Sequence, residues 1–188
     1  YQASELIMHF KQVAVDQTSA QRRFFDLKEV VSEIVTTLQP QFRKTHHRIE
    51  MDIPSGVRMD SFPGPLGQVL TNLVSNALVH GFEQTPEGVV RIESKPMGEH
   101  VQITITDNGS GIPAENLPRI FDPFFTTRLG KGGSGLGLHI VYSIVTRILG
   151  GRVFATSNAG DGTTFALDLP LSAPEKAENQ ILSSISIA

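Results

Sequence analysis

The stretch VQITITDNGSGIP, residues 101–113, decides the fold. Its first half alternates Val101, Ile103 and Ile105 with polar neighbours, the period-two pattern of a strand with one buried face. The strand ends on an acid, Asp107, with glycines at 109 and 111. That arrangement puts a fixed hydrogen-bond acceptor beside a backbone free to approach a ligand. Taken alone it is also ordinary turn chemistry, because Asp-Asn-Gly is common in turns. Seven of the 17 glycines fall between Gly109 and Gly137, far above an even scatter over the 188 residues. Glycine weakens both helices and strands, so this segment reads as a loop that must bend, move or lie close to a ligand.

Upstream of this strand, Val89–Ser94 also alternates, and Pro96-Met97-Gly98 between the two predicts a hairpin. A helix is predicted before it, opened by Pro65 and stopped by Gly81, with Leu66, Val69, Leu70, Leu73, Val74, Ala77 and Leu78 on its core face. Earlier still, Val30, Val31, Ile34, Val35, Leu38 and Phe42 mark a helix that Asp26 and Glu29 begin in capping-box fashion. Ile49, Met51 and Ile53 predict a strand, turned by Pro54-Ser55-Gly56, with Val57–Met59 as a short return. Downstream, Leu136, Ile140, Val141, Ile144, Val145, Ile148 and Leu149 predict a third helix that Gly150-Gly151 ends. Arg152–Thr156 and Thr164–Leu169 predict a closing hairpin, ended by Pro170, and the chain after Ser172 reads as a mostly unstructured tail. Residues 4–15 carry one more helical stripe, Leu6, Ile7, Phe10, Val13 and Ala14. The expected fold is α/β, a two-layer sandwich in which a mixed, mostly antiparallel sheet is covered on one face by three helices.

Composition narrows the chemistry. Hydrophobic residues make up 39% of the chain, which excludes a wholly disordered protein. No apolar run reaches the length of a membrane span, and the first residues lack the features of a signal peptide. Zero cysteines exclude disulfides, thiolate catalysis and zinc fingers. A net charge of −3 with no basic block argues against a nucleic-acid partner or an anionic membrane. On the second predicted helix, Asn72, Asn76 and His80 fall four apart on one stripe. Any single asparagine there is most simply a solvated one, but the set, opposite a fully apolar face, suits a ligand edge whose amide oxygens can meet a hard cation. GKGGSGLGLHIV, residues 130–141, runs glycines into a helix start, as a phosphate site does. It is neither a P-loop nor a dinucleotide fingerprint.

The order of these pieces is what is specific: an asparagine helix, Asp-x-Gly-x-Gly, IFDPFFTT, GGSGLGL, then GDGTTF. Over residues 22–170 it closely resembles the ATP-binding catalytic domain of bacterial sensor histidine kinases, a branch of the superfamily shared with DNA gyrase and the large heat-shock chaperone. The resemblance implies ATP and Mg2+ as cofactors. It makes Asn76 the metal ligand, with Asn72 beside it on the phosphate side and His80 near the nucleotide. Asp107 becomes the acceptor of the adenine amino group, joined by Thr163, while Gly109, Gly111 and Ile112 pass the base. Phe121, Phe124 and Phe125 resemble the aromatic box anchoring a lid, and Thr126 and Thr127 follow it. Gly133, Ser134, Gly135, Leu136, Gly137 and Leu138 resemble the segment around the phosphates. One position departs from the pattern: relatives place Lys or Arg three residues after the second asparagine, and here Val79 stands there. Lys131 or Arg128 is the alternative source of positive charge.

The superfamily's hydrolytic branch uses a glutamate four residues before the metal-binding asparagine. Asn72 occupies that place, and an amide cannot act as a general base, so fast self-contained ATP hydrolysis is disfavoured. Phosphoryl transfer to a side chain remains, and the resemblance implies a histidine on a helical hairpin preceding the domain as the acceptor. None of His9, His46, His47, His80, His100 and His139 has an acceptor's context; His46, His47 and His100 read as solvated surface and His139 as a helix residue near the site. The acceptor is therefore expected upstream, with residues 1–21 as the end of a dimerisation hairpin, 22–170 as the catalytic domain and 171–188 as a tail. By the same resemblance, the partners expected are that upstream domain and a response regulator's receiver domain, in a homodimeric, cytoplasmic-facing parent of a type often anchored in the inner membrane. A nucleotide-holding regulatory module and a serine kinase of the anti-sigma-factor type are the alternatives.

Overall fold

The computed structural model describes residues 21–127 and 134–175. The elements run β1 (Arg23–Asp26), α1 (Leu27–Phe42), β2 (Arg48–Asp52), β3 (Arg58–Ser61), α2 (Pro63–Asn76), β4 (Val89–Met97), β5 (His100–Asp107), α3 (Gly137–Ser143), β6 (Arg152–Ser157) and β7 (Thr163–Pro170). Five strands form one sheet in the order β2-β4-β5-β7-β6. β2 lies parallel to β4, and every other pairing in it is antiparallel. The three helices cover one face, so the expected two-layer sandwich is present.

Alternation explains the layering. Val101, Ile103 and Ile105 on β5 and Phe165, Leu167 and Leu169 on β7 are buried, and the residues between them are not. They meet Leu66, Val69, Leu70, Leu73 and Val74 from α2, Val141 from α3 and Val145 from the π turn Ile144–Ile148 that continues it. At roughly 1.5–3 kcal/mol for each fully buried large aliphatic side chain, this interface is what holds the helices on the sheet. The opposite face is left to water, with Thr106 and Thr164 joined hydroxyl to hydroxyl at 3.1 Å.

Two expectations change. α2 begins at Pro63, not Pro65, with Phe62 as its N-cap. The short return after Gly56 does not pair with β2. It forms β3, which runs antiparallel to β1 in a separate two-stranded ribbon, Phe25 facing Met59. Asp26 does cap α1, accepting the Lys28 amide at 2.9 Å, and its other oxygen accepts the Gly56 amide at 2.8 Å. One aspartate thus starts the helix and fixes the turn that sends β3 toward β1.

The ribbon is also where the two ends of the described chain meet. Arg22 holds Asp60 through two hydrogen bonds of 3.0 and 2.8 Å and reaches Ser172 at 3.0 Å. Asp60 donates its amide to Leu171 and accepts that of Ala173, which is buried. The predicted helix at 4–15 and the segment IleLeuSerSer at 181–184 lie outside the described residues.

Candidate functional site

The apolar face of α2 is committed to the core, so Asn72 and Asn76, four residues apart, turn to the other side. There they line a cavity of about 500 Å3 together with His80. The helix ends in a five-residue π turn, Ala77–Gly81, closed by the Phe82 amide on the Ala77 carbonyl at 2.9 Å. Such a widened turn is common at functional sites. It brings Val79 and Gly81, as well as His80, to the cavity wall.

The cavity's closed end is built where β5 and β7 meet, Asp107 opposite Thr163 in the register. Asp107 is 8% exposed, and its Oδ1 accepts the Gly109 amide at 2.9 Å. Burial pushes its carboxyl above the usual aspartate range, an effect partly offset by the amides of Gly109 and Thr163. Ser157, which the sequence did not flag, completes this end. Its hydroxyl accepts the Ile112 amide at 2.7 Å and donates to the Gly162 carbonyl at 2.6 Å. With that proton spent, the contact of 3.1 Å to Thr163 requires Thr163 to be the donor. Both Asp107 and Thr163 are therefore left with lone pairs to offer, and the group that suits them is a donor such as an exocyclic amine.

The other end is more open. Thr126, Thr127, Ser134, Gly135, Gly137 and Leu138 line it, and a Cβ on Gly137 would stand 3.8 Å from Asn76 Oδ1. Gly135 has φ +67, and a Cβ there would lie 2.5 Å from the Phe124 carbonyl carbon. Phe124 itself is left-handed, at φ 65, and 70% exposed. Gly135→Ala is expected to cost about 1–3 kcal/mol, read as a lower denaturation midpoint with an unchanged slope.

Of the residues singled out by sequence, Asn72, Asn76, His80, Asp107, Gly111, Ile112, Thr126, Thr127, Ser134, Gly135, Gly137, Leu138 and Thr163 converge on one cavity. Three others stand behind the wall and do not line it. Gly109 is packed against Gly81. Phe121 stacks on Tyr142 and Phe165, with centroids 5.8 and 6.5 Å away, because it is the apolar bolt between loop and core. Leu136 caps α3 and gives its carbonyl to Ile140. Gly133, with Arg128 and Lys131, lies outside the described residues. Phe125, Asn116, Pro113 and Glu83 also line the cavity. Two histidines read as solvated are engaged: His47 stacks on Phe82, and His100 Nδ1 lies 2.9 Å from Asp168.

Metal fit can be tested on the donor set. Among the described residues no group of three or more His, Cys, Asp or Glu could hold an ion. The Asn76 side-chain nitrogen, however, is buried without a hydrogen-bond partner. That nitrogen is a donor free for an acceptor such as a phosphate oxygen, and the oxygen of the same amide is the atom that could meet Mg2+, which takes one or two protein oxygens and completes its shell with phosphate and water.

Comparison with known proteins agrees with this geometry. Residues 63–173 match the family described as histidine kinase-, DNA gyrase B- and HSP90-like ATPase. Sensor histidine kinase RcsC of Escherichia coli K12 is 32% identical over 173 residues, covering 88% of this chain and 18% of that protein. Sensor histidine kinase ZraS, from the same organism, is 41% identical over 114 residues, 61% of this chain and 23% of that one. The chain thus spans about a fifth of the length of these curated relatives. Among solved structures, a nucleotide-free catalytic domain of histidine kinase ThkA superposes with a TM-score of 0.71 at 28% identity, over 81% of this chain and 97% of that one. ThkA in complex with the response regulator TrrA gives 0.70 at 27% identity, over 93% and 49%.

Proposed function

Since this chain belongs to the histidine kinase-, DNA gyrase B- and HSP90-like ATPase family, as its histidine-kinase-type catalytic domain, we propose that it binds Mg·ATP in the α2–α3 cavity and transfers the γ-phosphoryl group to a histidine. The acceptor would be carried by a helical hairpin to which residues before 22 would belong, and the phosphate would pass on to a response regulator. The observation that carries this reading is the cavity itself, which Asp107 and Thr163, with lone pairs to offer, and Asn76, with an unpartnered amide nitrogen, line together.

The work of each group follows from its place. Asp107 would accept a hydrogen bond from the adenine amino group, which disfavours guanine, whose corresponding position is an acceptor. Gly111 and Ile112 border the base. Asn76 would hold Mg2+, and Asn72, Thr126, Thr127, Ser134, Gly135 and Gly137 would surround the phosphates. The ion neutralises charge on the β- and γ-phosphates when it is bound. In such transfer the protein chiefly positions the reactants, and these residues do so without a general base for water: Asn72 is an amide, and the described carboxylates on the wall are the buried Asp107 and the exposed Glu83. Hydrolysis is thereby kept slow while a histidine is awaited.

The test supplies the chain with a histidine-bearing hairpin and labelled ATP. Acid-labile, base-stable phosphate on the hairpin is the expected result. Sound Mg·ATP binding with no labelling would remove the kinase reading and leave a nucleotide-holding module. Positive charge at the phosphates is a second handle. The described wall contains no Lys or Arg, and Val79, one turn from Asn76, is 54% exposed. Val79→Lys is expected to tighten ADP about fivefold at low salt, a gain of about 1 kcal/mol that shrinks as salt rises. Titration calorimetry at two ionic strengths checks it.

A further inference from the structure

Phe82 is 4% exposed, yet its chain neighbours Gly81 and Glu83 both line the cavity. Its ring turns away from the ligand side and lies flat on Gly88, where a Cβ would come within 2.4 Å of the ring carbons. The other neighbour of that ring is His47, with centroids 4.7 Å apart. His47 Nδ1 accepts the Gly88 amide at 2.9 Å, so the ring's proton sits on Nε2. The Gly88 carbonyl accepts the Arg48 amide at 2.8 Å. One histidine, from the turn before β2, thus secures both the Phe82 ring and the backbone on which it rests.

That clamp abuts the closed end of the cavity. The Gly81 carbonyl accepts the Ser110 amide at 2.9 Å, and a Cβ on Gly109 would fall 2.5 Å from the same oxygen. A Cβ on Gly81 would stand 3.3 Å from Asp107 Oδ1, the atom that the Gly109 amide holds. Any displacement of Phe82 moves Gly81, and Gly81 has no room to move without pushing Gly109. The aim of the Asp107 carboxylate depends on that glycine's amide.

We propose that His47 and Phe82 are positioning residues for base selection: through Gly81 and Gly109 they hold Asp107 where it can accept an amino proton. This rests on the adenine-nucleotide reading above. Neither residue touches the cavity, so their effect should appear as discrimination more than as loss of fold.

The experiment uses the 188-residue chain with His47→Leu, which keeps apolar bulk without the acceptor, and His47→Asn, whose amide oxygen can stand in for Nδ1. Phe82→Leu serves as an independent variant. Affinities for ADP and for IDP, which lacks the 6-amino group, are measured with Mg2+ well below each melting temperature. His47→Leu and Phe82→Leu are expected to reduce the preference for ADP over IDP about tenfold, and His47→Asn to retain it within about twofold. ADP and IDP weakening equally, or an unchanged preference in the Leu variants, overturns the proposal. If the unaltered chain binds no adenine nucleotide, the adenine reading itself fails. The ligand-free amide spectra then decide the coupling: shifts at Gly109 and Ser110 in His47→Leu but not His47→Asn support it, and unshifted amides overturn it.

Discussion

Asp107→Asn is expected to weaken adenine-nucleotide binding by about a hundredfold or more while leaving the fold at least as stable as before. The two halves have different causes. The carboxylate already accepts the amides of Gly109 and Thr163, and its remaining lone pairs would serve the ligand. An asparagine can offer only one oxygen. Placed toward Gly109, it leaves an NH2 facing the incoming amine; flipped, it sets NH2 against the Gly109 amide. Either way two donors confront each other in a buried site.

Stability behaves oppositely. Because burial raises the Asp107 pKa above its unfolded value, the protonated form is the one the fold favours. That contribution is full below the unfolded pKa, about 4, and is lost as pH rises through the higher folded value. At neutral pH the ionised side chain is a liability that the neutral amide does not share. Thermal melts of the two proteins should coincide near pH 3 and diverge upward in pH in favour of the variant. Calorimetric titration with ADP supplies the binding arm; a variant that binds ADP normally would show that Asp107 is not the base acceptor.

Asn76→Asp should produce the larger loss in chemistry. It places a carboxylate in a wall that already holds Asp107 and Glu83, directly where a polyphosphate is to lie. Misplacing one charge at a site preorganised for phosphoryl transfer costs on the order of 10²–10³ in rate. The Asn76 nitrogen makes no hydrogen bond that the substitution could remove, so the cost to the fold is that of desolvating a carboxylate at a half-buried position. Labelling of a supplied acceptor histidine, set beside circular dichroism and a melting curve, separates a dead site from an unfolded domain. Undiminished labelling would take Asn76 out of the metal's shell.

Periodic elements were readable because their cause is local. The alternation in Val101–Ile105 and the stripes in α1 and α2 each follow from one buried face, and the structure places them accordingly. What escaped was non-local. Strand β1 is four residues long, with Phe24 78% exposed beside a buried Phe25, too short for a pattern. Its partner lies some 35 residues on, so nothing near Arg23 announces the pairing, Arg23 to Ser61. The parallel β2–β4 contact is likewise made only after α2 has crossed between them. Of the cavity, the glycines and polar residues in motif order were visible. Ser157, Phe82 and His47 were not, because each acts by what it touches from a distant segment. A lone histidine after a helix has no signature that separates a clamp from solvent-facing decoration.

The clasp of Arg22, Asp60 and Ser172 has a mechanical meaning. It sits at the Pro170 end of β7, while the cavity is built at the Thr163 end, about 23 Å away at 3.3 Å per residue. Tension arriving through residue 22 and tension leaving through residue 172 are met at the same residue, Asp60, whose carboxylate holds Arg22 and whose backbone holds Leu171 and Ala173. The load then passes through a short cross-tie and bypasses the long axis of the sheet. The domain can be pulled or swung as a body while its nucleotide-facing rim stays unstressed, much as a tool is gripped by its handle and not by its jaws.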